Sequence, residues 1–138
     1  MIKKIALALT MALAASVPLT GSASGVDPLV REIKGQGIDA CPEESVCLYQ
    51  DSDFNAGGDA RIWILKDDVP QLGKYGANDH ASSAYVNFPN EVKVQLFQDT
   101  WYDGEIVYTM WSGREKRGEY SKLSGFNDEA SSVVIAAG

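Results

Sequence analysis

Two blocks of this chain recur at nearly the same offset. Leu48-Tyr49-Gln50-Asp51 returns 48 residues later as Leu96-Phe97-Gln98-Asp99. Asn78-Asp79-His80-Ala81-Ser82-Ser83 returns 49 residues later as Asn127-Asp128-Glu129-Ala130-Ser131-Ser132. A fixed period of this kind means that one supersecondary unit is used twice. An inserted residue falls near Asn55–Gly58, where the first copy has Gly57 and Gly58 and the second has Gly104 alone, and offsetting differences must lie in the later loops. Both copies read as β: Val92, Val94 and Leu96 alternate, as do Ile106, Tyr108 and Met110, and as do Ile62 and Ile64. Val133–Ala136 is a short closing strand, matched by Ala84–Phe88, while Asp67–Leu72 and Tyr120–Leu123 read as connections. Turn residues interrupt the runs every 8–12 residues or so, the rhythm of a β-sandwich. Asn87-Phe88-Pro89-Asn90 between the copies is too short for a flexible linker, so the copies (about 46–88 and 92–138) are expected to pack as halves of one domain spanning 41–138.

The start of the chain has another character. Lys3 and Lys4 precede an apolar run from Ile5 to Val17, which Pro18 ends before the small residues Gly21–Gly25. This is the build of a secretory signal peptide over residues 1–25, with cleavage fitting after Ala23 or after Gly25. The run is shorter than the roughly 20 residues of a membrane-spanning helix. An exported protein, extracellular or periplasmic, is the expectation. Residues 26–40 contain Pro28, Gly35 and Gly37 with little apolar periodicity, and read as a tether with room for a helical turn over Leu29–Lys34.

Without residues 1–25, 10 basic residues face 19 acidic ones, a balance of −9. Such a surface argues against nucleic acid and anionic membranes as partners and suits a domain that attracts cations. Cys41 and Cys47 are the only cysteines. In an exported chain an even count reads as a disulfide, and the spacing matches no redox motif or zinc site.

An aromatic residue followed after six residues by glycine, and later by an N/D-N/D-x-x-S/T-S hexapeptide, resembles the microbial βγ-crystallins. Phe97 to Gly104 keeps the aromatic–glycine spacing; in the first copy Tyr49 reaches Ala56 at that offset and Gly57 one later. Both hexapeptides fit throughout. The resemblance implies an all-β, βγ-crystallin-like sandwich of two Greek-key motifs. Independently of family, Asn, Asp and Ser in a turn supply hard oxygens, which suit the 6–8 oxygen ligands of Ca²⁺. One hexapeptide supplies about three of these, so each ion needs ligands from elsewhere.

What the resemblance implies is two Ca²⁺ ions shared across a pseudo-twofold axis. By position, the third-residue carbonyls are those of His80 and Glu129 and the hydroxyls those of Ser82 and Ser131. Asp79 and Asp128 would reach the partner site, and a carbonyl from the other copy's first hairpin, near Gln50 or Gln98, would complete each shell with water. Asn78, Asn127, Ser83 and Ser132 would shape the turns. The competing bland reading is an ordinary Asn-Asp…Ser-Ser turn; duplication of the whole hexapeptide favours calcium.

Catalysis has little support. The lone His80 lies inside the hexapeptide, both cysteines are assigned to a disulfide, and no carboxylate pair stands out. No enzyme is expected. Asp51, Asp53, Asp67 and Asp68 read as solvated loop residues, Trp63, Trp101 and Trp111 as core or corner packing, and Arg114–Arg117 as a solvated turn. Cys41–Tyr49 also resembles the N-terminal part of small secreted bacterial metalloproteinase inhibitors of the same fold. That resemblance makes an extracellular protease the alternative partner.

Overall fold

The computed structural model describes residues 29–78, 80–123 and 130–138. Among the described residues, eight strands form two antiparallel sheets. They are β1 (Val30–Gly35), β2 (Ser45–Tyr49), β3 (Ala60–Leu65), β4 (Ser83–Asn87), β5 (Val92–Phe97), β6 (Ile106–Ser112), β7 (Gly118–Tyr120) and β8 (Ser132–Ala137). The larger sheet has the order β1-β3-β2-β4-β7 and the smaller β6-β5-β8. The expected all-β sandwich of two Greek-key motifs is the observed architecture.

Each copy lends a segment to the other's sheet. β7, from the second copy, pairs with β4 of the first through Ala84↔Tyr120 and Val86↔Gly118. Val69, from the first copy, bridges Val133 of β8 in the second. Neither half can then leave without breaking backbone hydrogen bonds of the other. Gly118 permits the crossing, because a Cβ there would collide with the Trp111 carbonyl. The connection over Asp67–Leu72 therefore carries structure: Leu72 is fully buried and Asp68 Oδ1 accepts the Ile135 N–H at 2.7 Å.

Between the sheets lies one core, built on Leu48, Trp63, Val86, Leu96, Met110 and Val133. β5 alternates buried and half-buried residues, as its sequence predicts for a sheet with one wet face. β2 is buried at all five positions. Its outer face is covered by a second cluster in which Cys41, Cys47, Tyr49, Ile62, Ile64 and Tyr85 pack beneath Ile38 and Ala40.

That cover corrects the reading of residues 26–40 as a tether with a helical turn. Residues 30–35 are the edge strand β1, paired with β3 from Val30↔Leu65 to Gly35↔Ala60, and 38–40 form a 3₁₀ turn over the outer cluster. Only Val30 of β1 is buried, so the strand has no two-residue apolar period to betray it. Two of the three tryptophans also depart from expectation. Trp63 is fully buried and donates Nε1–H to the Tyr75 carbonyl at 3.1 Å, whereas Trp101 and Trp111 are 63% and 52% exposed. Trp101 sits on a hairpin, and Trp111 lies on the edge strand β6 with the Lys93 ammonium over its ring. Arg117, expected in a solvated turn, donates Nε–H to Asn87 Oδ1 at 3.0 Å.

Candidate metal centre

The site is built on two equivalent hairpins. The first leaves β2 at Tyr49 and closes where Gln50 N–H meets the Arg61 carbonyl; the second leaves β5 at Phe97 and closes where Gln98 N–H meets the Glu105 carbonyl. The first is longer by four residues, and the second copy makes up for it with a stretch five residues longer between its hairpin and its hexapeptide. Both tips use left-handed backbone at non-glycine residues: Asp53, Phe54 and Asn55 (φ 51°, 55° and 60°) and Trp101 and Tyr102 (φ 58° and 61°). That conformation is costly for L-residues and persists only when surrounding structure holds it.

The last serine of each hexapeptide holds it. Ser83 Oγ donates to the Asp51 carbonyl at 2.6 Å and accepts the Phe54 N–H at 3.0 Å. Ser132 Oγ donates to the Asp99 carbonyl at 2.6 Å and accepts the Tyr102 N–H at 3.0 Å. Both serines are fully buried. They shape the turns.

The fifth-position serines sit between the halves. Ser82 N–H bonds to the Tyr49 carbonyl, and the Ser82 carbonyl accepts Leu123 N–H at 3.0 Å from the second copy. Ser131 N–H bonds to the Phe97 carbonyl, and the Ser131 carbonyl accepts Leu72 N–H at 2.9 Å from the first. The hairpin tips cross over in the same way, Asp53 N–H to the Ser121 carbonyl at 2.7 Å and Trp101 N–H to the Pro70 carbonyl at 2.8 Å. Side chains join in: Ser131 Oγ meets Asn78 Oδ1 at 3.2 Å, a bond between the two hexapeptides across 53 residues.

Ser82 also lines a cleft of about 520 Å³ with Asp51, Ser52, Asp53, Ala56, Gly57 and Lys122. Its polar side chains apart from Lys122 are hydroxyls and carboxylates, a hard-oxygen donor set that fits calcium and lacks the thiolates and imidazoles of zinc sites. Asp51 and Asp53, read from sequence as loop acids, thus share the cleft with Ser82, which meets the hairpin of its own copy where the resemblance implies that of the other. The signal for Asp51 was present in the repeat, since Asp51 and Asp99 close the matching Leu-aromatic-Gln-Asp blocks. Gln50 contributes in an unforeseen way: its side-chain Oε1, rather than its carbonyl, accepts the Arg61 N–H at 3.1 Å. His80 is exposed. Asp79, Asp128 and Glu129 lie outside the described residues. Among the described residues no cluster of three His, Cys, Asp or Glu gathers to hold a metal.

The Cys41–Cys47 disulfide is formed, with Cα atoms 5.9 Å apart, and belongs to the outer cluster beyond β2. Asn55, which the sequence did not single out, is fully buried and ties three segments. Its Nδ2 donates to the Gly35 and Arg61 carbonyls at 3.1 and 3.0 Å, and its Oδ1 accepts the Asp51 N–H at 2.7 Å. Tyr49 donates its hydroxyl to the Gly37 carbonyl at 2.9 Å, and burial pushes its pKa up to about 12.

Solved structures share the architecture. One, from work on the evolution of the eye-lens βγ-crystallin domain fold, is 25% identical over 79% of this chain and 98% of its own, with a TM-score of 0.58. Spherulin 3a from Physarum polycephalum is 23% identical over 76% of this chain and 95% of its own, with a TM-score of 0.51. A double mutant of a βγ-crystallin domain from Clostridium beijerinckii is 22% identical over 67% of this chain and 96% of its own, at 0.50. At such identities the last two bear on fold alone. A search of curated proteins finds no match. The model of peptidase inhibitor family I36 matches residues 35–109, more than half of the chain, and the protein belongs to that family, on a βγ-crystallin fold.

Proposed function

We propose that this is an exported, non-catalytic domain in which two Ca²⁺ ions staple the two Greek-key halves together. The observation that carries this reading is the bond between Ser131 Oγ and Asn78 Oδ1, which brings the two hexapeptides within one ligand shell's reach of each other. In this reading the ligands are the side chains of Asp79 and Asp128, the hydroxyls of Ser82 and Ser131, and the carbonyls of His80, Glu129, Gln50 and Gln98. The Gln50 side chain supports that role, because it relieves the Gln50 carbonyl of the Arg61 N–H. Bound calcium supplies a divalent charge that draws oxygens of both halves to one point, and nothing in the proposal asks it to do chemistry. The signal-like start and the disulfide support export, where a weak calcium site can stay filled.

Thermal melts of the decalcified protein with and without calcium test the proposal. An ion held at 100-fold excess over its dissociation constant adds roughly 2.7 kcal/mol if only the folded state binds, so the melting temperature is expected to rise. An unchanged melting temperature, with no heat on titration, would refute calcium.

Family membership favours a second reading, inhibition of an extracellular peptidase. The resemblance of Cys41–Tyr49 to secreted metalloproteinase inhibitors points to thermolysin-type enzymes. Micromolar protein should then slow such a protease, and full residual activity would remove this reading.

A further inference from the structure

We propose that Lys122 sets the two calcium sites apart, weakening the one at the first hairpin relative to the one at the second. The inference rests on the calcium reading above and adds to it a residue that tunes affinity.

The crossed hydrogen bonds supply the correspondence. Leu123 N–H to the Ser82 carbonyl matches Leu72 N–H to the Ser131 carbonyl, so the preceding residues, Lys122 and Gln71, occupy equivalent places. Asp53 N–H to the Ser121 carbonyl matches Trp101 N–H to the Pro70 carbonyl, so Asp53 and Trp101 are likewise equivalent. The hydrogen bonds of Ser83 and Ser132 pair Asp51 with Asp99. The first site therefore has an acid and an ammonium where the second has an indole and a neutral amide.

Lys122 lines the same cleft as Ser82, Asp51 and Asp53. An ammonium there repels an incoming divalent ion and competes with it for the carboxylate oxygens. All three charged side chains are exposed, so water and salt screen the effect. A single charge at the rim of such a site alters affinity roughly two- to fivefold at low ionic strength. Asp53 acts in the opposite sense by adding a carboxylate that the second site lacks.

The test is a CaCl₂ titration followed by amide NMR at low ionic strength. Ser82 and Leu123 report the first site, and Ser131 and Leu72 the second. K122Q, which copies the residue of the second site, is expected to tighten binding at Ser82 and Leu123 roughly two- to fivefold while Ser131 and Leu72 titrate as before. D53N, whose asparagine tolerates the left-handed backbone, is expected to weaken the same pair. K116Q serves as the charge control: Lys116 lies in the loop between β6 and β7 and lines a separate cleft with Glu91. Unchanged first-site affinity in K122Q, or equal tightening in K116Q, would overturn the assignment while leaving calcium binding intact. Absence of any calcium-dependent shift in the parent protein would overturn both.

Discussion

The two halves share one template at the hairpins and diverge on their outer faces. Ser83 and Ser132 make the same pair of hydrogen bonds at the same lengths, 2.6 and 3.0 Å. Away from the hairpins the likeness ends. The first half buries β2 on both sides, beneath the 36–41 segment and the disulfide, whereas the second leaves one face of β5 and β6 half-exposed with Trp111 on it. The hairpin–hexapeptide assembly is thus the part that both halves keep, and the outer covering is what the first half has added. That separates a functional element from a stabilising one within a single domain.

The largest expected contrast is between two tryptophans. Trp63→Ala empties the core of the first half and should cost about 3–5 kcal/mol in chemical denaturation. Trp111→Ala removes an exposed ring and one cation–π contact and should cost below about 1 kcal/mol. Similar losses would mean that the outer faces are not as different as they look.

Tyr49 gives the next contrast, since its counterpart is Phe97. The folded-state pKa of about 12 lies above the ordinary phenol value of 10.0, so the neutral phenol is the form the fold favours. Its contribution is fully present below pH 10 and is lost as pH rises towards 12. Unfolding free energy should fall by about 2–3 kcal/mol across that window, and Tyr49→Phe should flatten the profile. A steep profile that survives this substitution would assign the loss elsewhere.

The disulfide has no partner in the second half. Its loop is short, so reduction should cost about 2 kcal/mol on the chain-entropy model, measured as a shift of the denaturation midpoint with and without reductant. The smallest effects should be the most alike: Ser83→Ala and Ser132→Ala each remove a buried hydroxyl that satisfies a carbonyl and an N–H, for about 1–2 kcal/mol apiece. Losses differing by more than a factor of two would break the equivalence of the hairpins.

The parts legible in the sequence were those repeated in it. Leu48–Asp51 and Asn78–Ser83, with their copies, revealed the duplication, the sandwich and the hairpin–turn pairing, because the same backbone problem was solved twice with the same residues. β1 was illegible because an edge strand with a single buried residue, Val30, carries the charged pattern of a linker. Asp51 and Asp53 looked like loop acids because their common cleft is made by Ser82 and Lys122, distant in sequence. Trp101 read as core or corner packing because nothing local announces a left-handed hairpin tip that turns its ring outward.

Sharing of ions between halves is the central claim, and Asp79→Ala tests it most directly. With amide NMR following a CaCl₂ titration, the account predicts that the response at Ser131 and Leu72 in this variant disappears, while Ser82 and Leu123 still respond. Loss of the response at Ser82 with Ser131 intact would contradict it, because each hexapeptide would then be serving only its own ion.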